Sequence, residues 1–182
     1  MSRWDVLILA AGRGPDDPMA KAYGVSHKCL IPVGGVPMLR RVVNTLSAHP
    51  HIGRIVVCID DPAIVAQALG ALAARVETVG AADSAPSSAR QAIGAARLGW
   101  PVLITTGDHA LLDQAMLDYF LSQSAAEPAD LTVGLARAET ILAAFPDAKR
   151  TYLRFAKDRV SGCNLFAAKT DKAMKALAFW ER

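Results

Sequence analysis

Apolar positions in this chain follow two periods. Val6-Leu-Ile-Leu9 is a short, unbroken apolar run. That pattern predicts a strand buried on both faces at the centre of a parallel sheet. Ile55-Val-Val-Cys-Ile59, within 52–59, repeats it, and further strands are expected at 76–79, 101–108 and 130–136. Between these runs the spacing becomes helical. Met38, Leu39, Val42, Val43 and Leu46 make one apolar face behind Pro37, which suits the first residue of a helix. Arg40 and Arg41 fall on the opposite face and read as solvated surface.

Asp61 before Pro62 predicts a capped start for a helix over 63–74. Ser87 or Ser88 is expected to cap the next helix, with Ala89, Ala92, Ile93 and Ala96 inward. Asp113 does the same for a helix carrying Met116, Leu117, Phe120 and Leu121 on one face. A brief helix over 139–144 is stopped by Pro146. Two strands, 151–155 and 160–168, joined by Lys157-Asp158-Arg159, then break the alternation with a hairpin. A last helix is expected over 172–180. The chain stops at Arg182 with no glycine or proline stop signal, so the expectation is a single domain over 1–182, truncated at its C-terminus.

Strands alternating with helices argue for an α/β fold: an open, mostly parallel sheet with helices on both faces and a late antiparallel hairpin. Ligands of such sheets sit beyond the carboxyl ends of the strands. Gly12, Asp60, Gly80 and Asp108 all follow strands, so they should share that edge.

At 182 residues, 52% apolar and 20% charged, the chain can bury a sizeable core. Its formal charge of +3 is mild, and no lysine–arginine run or aromatic–basic interleaving suggests a nucleic-acid surface. The excess reads as a few cations placed for phosphate. Cys29, Cys58 and Cys163 are odd in number and lack metal-ligand spacing, so they read as reduced thiols. No run approaches a signal-peptide core or a membrane span, which leaves the cytoplasm as the expected compartment, with no membrane partner.

The chemistry gathers after the first strand. The chain narrows through Leu9-Ala10-Ala11 into Gly12-Arg13-Gly14. Small residues there let a bulky ligand lie against the backbone, and a glycine loop can turn N–H groups toward an anion. Arg13 and Lys28 add fixed positive charge, which points to a bound polyphosphate. The dinucleotide fingerprint is incomplete, because Pro18 follows where a third glycine and a helix are needed. No P-loop pattern is present, nor any Ser–His–Asp or Cys–His arrangement. His109, beside Asp108, reads as an incidental neighbour.

Leu-Ala-Ala-Gly-Arg-Gly14, then Lys28-Cys-Leu, then Gly34-Gly-Val-Pro-Met-Leu39 resembles the nucleotidyltransferases with a MobA-like NTP transferase domain, from Asp5 to about Ala168. That group includes molybdenum-cofactor, cobinamide-phosphate and sugar-phosphate nucleotidylyltransferases. The resemblance implies a Rossmann-like three-layer sandwich of the nucleotide-diphospho-sugar transferase type. It implies transfer of an NMP from an NTP to a phosphorylated acceptor, with release of pyrophosphate. Lys28, Arg13 and Asp108 would be catalytic. Leu9, Ala10, Ala11, Gly12, Gly14, Ser88 and Gly107 would bind the nucleotide. Asp108 would hold Mg²⁺, with Asn164 of Gly162-Cys-Asn164 as a second oxygen ligand.

These enzymes usually place Arg-Met directly after the glycines. Here 15–27 intervenes, and Arg13 or Lys21 takes that arginine's work. Lys149, Arg150 and Arg154 form a basic group in which Arg150 would receive the acceptor's phosphate, since arginine binds it bidentately. A homo-oligomer stays open. Two other classes are carried beside this one: a nucleotide- or sugar-phosphate-binding module without turnover, and, more weakly, a nicotinamide-dependent reductase.

Overall fold

The computed structural model describes residues 3–12, 17–155 and 157–181. Its central strand, β1 (Trp4–Leu9), lies between β4 (Ile52–Ile59) and β6 (Val102–Thr106), parallel to both. Between β1 and β4 come, among other elements, α1 (Pro18–Ala22) and a hairpin of β2 (Pro32–Val33) and β3 (Val36–Pro37). β5 (Glu77–Gly80) pairs in parallel outside β4. Beyond β6 the direction reverses. β9 (Asp158–Ala168) runs antiparallel to β6, to β7 (Leu131–Arg137) and to β8 (Leu153–Phe155). The sheet order is β5-β4-β1-β6-β9-β7, with β8 attached to β9.

Alternation along β1 divides the core in two. Val6 and Ile8 face α2 (Met38–Ser47), α3 (Ala63–Leu69) and α5 (Gln114–Ala126), meeting Leu39, Val65 and Leu117. Leu7 faces α4 (Ala85–Ala95) and α7 (Ala173–Trp180), meeting Ala92, Ile93 and Leu177. A seventh helix, α6 (Ala138–Ala144), joins β7 to the β8–β9 hairpin. All three β1 side chains are fully buried, so removing any of them would cost burial energy and leave a cavity. The expected three-layer α/β sandwich with a late antiparallel hairpin is the observed fold.

Several local expectations are corrected. Pro37 ends β3, with φ −51° and ψ 139°, and α2 begins one residue later. The helix expected over 63–74 stops at Leu69 and continues as a 3₁₀ stretch from Gly70 to Arg75, because Gly70 turns to φ +57°. α4 begins at Ala85 and is capped by Ser84, whose hydroxyl accepts from the Ser87 N–H. Pro86 fits the first turn, which moves the start ahead of Ser87 and Ser88. Arg40 and Arg41 are not free surface. Arg40 Nε donates to the Ala68 carbonyl at 2.9 Å, and Arg41 Nε donates to the Ala110 carbonyl at 3.0 Å. Their long stems let charged heads on a polar face reach back to neighbouring elements. The Gly34–Gly35 pair, with φ +60° and +77°, makes the two-residue turn of the β2–β3 hairpin. Arg41 also donates to Val33 there.

Candidate active site

Beyond the carboxyl ends of β1 and β6 the chain leaves a cleft of about 420 Å³. The ends of these strands approach closely. The Gly107 N–H donates to the Leu9 carbonyl at 2.8 Å, and the Ala10 N–H donates to Cys58 at 2.9 Å. A Cβ on Gly107 would stand 2.9 Å from the Ala10 Cβ, so this position takes no side chain without displacement. The expected residues Leu9, Ala10, Ala11, Gly12, Lys28, Ser88, Gly107 and Asp108 all line the cleft. Arg13 and Gly14 lie outside the described residues.

Lys28 opens a 3₁₀ turn, Lys28–Leu30, whose Cys29 and Leu30 are buried in the core. That anchor directs the lysine into the cleft, where its ammonium pairs with the Asp108 carboxylate. Thr106, at the end of β6, donates its hydroxyl to the other Asp108 oxygen at 2.6 Å. Burial pushes the Asp108 carboxyl up, but the bonds from Lys28 and Thr106 outweigh it and hold it below its ordinary value. Asp108 is therefore ionised at neutral pH.

The glycine side of the cleft has its own support. The Gly12 N–H donates to Asp60 Oδ1 at 3.1 Å, and His27 Nε2 lies 3.2 Å from Asp60 Oδ2. Asp60 thus ties the end of β4 to the loop after β1. Neighbouring Asp61 accepts from the Ala63 N–H, but the N-cap position of α3 falls to Pro62 rather than to the expected Asp61. Across the cleft, the buried Ser88 hydroxyl donates to the Ala82 carbonyl at 3.2 Å and accepts from the Ala82 N–H at 2.9 Å. Ser88 lines the site while pinning the loop before α4.

Sequence reasoning missed several lining residues: Asp17, Cys29, Cys58 and Thr106. Asp17 caps α1 by accepting from Met19 and Ala20, and the Asp17-Pro18 pair was the available signal. Burial, reinforced by the Asp60 and Asp108 carboxylates, pushes the Cys29 thiol up to about 11. Burial also raises Cys58. Both thiols are protonated at neutral pH and are poor nucleophiles.

Asn164 and Arg150 sit to one side of the cleft. Leu165 pairs with Thr105, so Asn164 stands at the carboxyl end of β6, next to the segment that carries Asp108. It lies where the β7–β9 register shifts, and its φ of +54° is one that asparagine tolerates. Arg150 is held against β9, donating from Nε to the Ser161 hydroxyl at 3.0 Å and from Nη2 to the Gly162 carbonyl at 2.9 Å.

Among the described residues no group of three His, Cys, Asp or Glu side chains could hold a metal. The oxygen donors at this edge, an ionised carboxylate and an amide, do fit magnesium. That ion takes few protein oxygens and completes its shell with water and phosphate. Among the described residues no helix is long and apolar enough to cross a membrane.

Comparisons with known proteins agree with this geometry. The model of the MobA-like NTP transferase domain matches residues 6–173. Among solved structures, a hypothetical transferase from Thermus thermophilus shares 27% identity with a TM-score of 0.78, covering 99% of this chain and 71% of that one. CMP:2-keto-3-deoxy-manno-octonic acid synthetase complexed with CTP shares 14% identity at a TM-score of 0.68, over 99% of this chain and 78% of that one. 4-Diphosphocytidyl-2C-methyl-D-erythritol synthase from Anaerococcus prevotii shares 13% at 0.69, over 99% and 77%. The last two likenesses are of fold alone. A comparison with curated proteins returned no match. With the family model spanning nearly the whole sheet and every lining residue of the cleft, the chain belongs to the MobA-like NTP transferase domain family.

Proposed function

We propose that the chain is a magnesium-dependent nucleotidyltransferase that moves an NMP from an NTP to a phosphorylated acceptor and releases pyrophosphate. The observation that carries this reading is the Lys28–Asp108 ion pair, set in a cleft lined by Gly12 on one side and a serine-pinned loop on the other. A fixed cation and an ionised carboxylate side by side suit a triphosphate and its counter-ion.

The reaction asks the protein for alignment and charge neutralisation rather than covalent chemistry. An acceptor phosphate oxygen attacks the NTP α-phosphorus, a new P–O bond forms, and the bond to the pyrophosphate oxygen breaks. The acceptor phosphate is already ionised at neutral pH, so no general base is required. Magnesium, when bound, supplies positive charge between the phosphates.

Asp108 and Asn164 would hold that ion. Lys28, with Arg13, would neutralise the phosphates and the charge that develops as pyrophosphate leaves. Leu9, Ala10, Ala11, Gly12, Gly14 and Gly107 would form the floor on which the nucleotide lies. Ser88 would fix the loop that meets the base and ribose. Arg150, anchored by Ser161 and Gly162, would receive the acceptor's phosphate.

The test is pyrophosphate release with each of the four NTPs, Mg²⁺ and a panel of phosphorylated acceptors. Release that requires all three components supports the reading. NTP binding without release on any acceptor overturns it in favour of a binding module. A thermal-shift series with the four NTPs identifies the base.

A further inference from the structure

The mild net charge of the chain conceals a concentration of cations. Residues 149–159 contain Lys149, Arg150, Arg154, Lys157 and Arg159 against the single carboxylate of Asp158, a net +4 where the whole chain carries +3. Aromatic and basic residues do interleave here, contrary to the sequence expectation.

The hairpin sorts these residues by face. Arg154 pairs directly across the ladder with Arg159, and Leu153 with Val160. Directly opposed residues share a face, and successive residues alternate. Arg154 and Arg159 therefore share one face, while Leu153, Phe155 and Val160 take the other. Arg159 carries its guanidinium 5.4 Å from the centre of the Tyr152 ring, so Tyr152 lies on the arginine face. Arg150 bonds to Ser161, two residues along β9 from Arg159 and on the same face.

Like charges directly opposed across two strands destabilise a hairpin. Both arginines are exposed, and among the described residues neither makes an ion pair. The Tyr152 hydroxyl is buried without a hydrogen-bond partner. The face thus presents two guanidinium donors over a tyrosine whose hydroxyl is turned inward, and among the described residues of the hairpin no acid of that face offsets them. Such a surface is completed by an oxyanion, which two guanidinium forks can share.

We propose that the Arg154–Arg159 pair binds a second phosphate group, carried by a small acceptor whose first phosphate is held by Arg150. This rests on the nucleotidyltransferase reading and names its acceptor class as one bearing two phosphates. The Arg150 guanidinium bonds to Ser161, two residues along β9 from Arg159 and on the order of 7 Å by strand rise, which sets the scale of the separation of the two groups. A small ligand is favoured over a macromolecule because the basic face is one hairpin wide.

The experiment follows the arginine Nε–Hε resonances of the full chain by NMR during titration with inorganic phosphate, at ionic strength held constant with chloride. Saturable shifts at Arg154 and Arg159 are expected. Arg154→Gln should weaken the Arg159 response about tenfold, the loss of roughly one charge-assisted contact. Arg150→Gln should leave it in place. The far-ultraviolet circular dichroism of each variant reports whether the hairpin still folds, and Arg154→Lys gives a second, charge-preserving variant with an intermediate affinity expected. Shifts that fail to saturate, or that persist in Arg154→Gln, overturn the proposal. So does displacement of phosphate by oligouridylate or polyglutamate at far lower concentration, which would make the face a macromolecular interface. The titration contains no NTP. Absence of turnover on every acceptor would therefore sink the catalytic reading and leave the phosphate site standing.

Discussion

Lys28 and Asp108, 80 residues apart in the chain, close on each other as an ion pair inside the cleft. Each is about one-third exposed. The two charges offset each other, and they are the groups a triphosphate and its counter-ion would engage. Lys28→Ala is expected to lower kcat by about 10²–10³, the usual effect of losing one preorganised charge. Asp108→Ala should abolish Mg-dependent turnover, while Asp108→Asn keeps weak NTP binding. Steady-state kinetics and NTP titration check this. Activity of Lys28→Ala within twofold of the unmodified chain removes Lys28 from the mechanism.

Gly107 tests the contact between strand ends. An added Cβ would press on Ala10, so Gly107→Ala should destabilise the fold by about 1–3 kcal/mol, as overpacking does. Thermal unfolding should show a Tm lower by several degrees. An unchanged Tm would mean that the two strand ends separate at no cost.

Ser88→Ala separates loop order from catalysis. The substitution leaves the Ala82 N–H and carbonyl without the hydroxyl that serves both. The expected result is a KM for NTP raised several-fold, with kcat little changed. A fall in kcat alone would place Ser88 at the reacting phosphates instead.

Arg150→Ala addresses the acceptor. KM for the acceptor should rise and NTP affinity should stay constant. Because Arg150 also ties its segment to β9, Arg150→Lys is the companion variant. Equal effects on both substrates would identify a loss of structure rather than of a phosphate contact.

Asp60 carries a pH-dependent share of stability. Burial raises its carboxyl, but the Gly12 N–H and His27 outweigh that and hold it below its ordinary value. A carboxyl depressed in the folded state stabilises above its unfolded pKa, near 4, and loses that contribution as pH falls through the folded value. Asp60→Asn should therefore be less stable than the unmodified chain at pH 7. The gap should narrow as the pH falls below about 4. Urea unfolding at both pH values reads it, and a gap independent of pH would assign the effect to geometry alone.

The sequence by itself determined the layers of this protein. Val6–Leu9 and Ile55–Ile59 were legible as central strands because residues buried on both faces are apolar without interruption. The period of α2 marked its buried face for the same local reason. The shared edge of Gly12, Asp60 and Asp108 followed from strand direction alone, and the lining of the cleft by Gly12 and Asp108 agrees with it.

Only the tertiary structure decided the partners. Nothing local to Lys28 names Asp108, nothing in Asp60 names Gly12, and a polar stripe on α2 looks the same whether its arginines face water or distant carbonyls. The opposed arginines of the β8–β9 hairpin are likewise a matter of register, which shifts every side chain to the other face with a single residue. Period and composition are properties of neighbours in sequence. Hydrogen bonds and ion pairs across 48 or 80 residues are fixed by packing the layers together, and this site is made of such contacts.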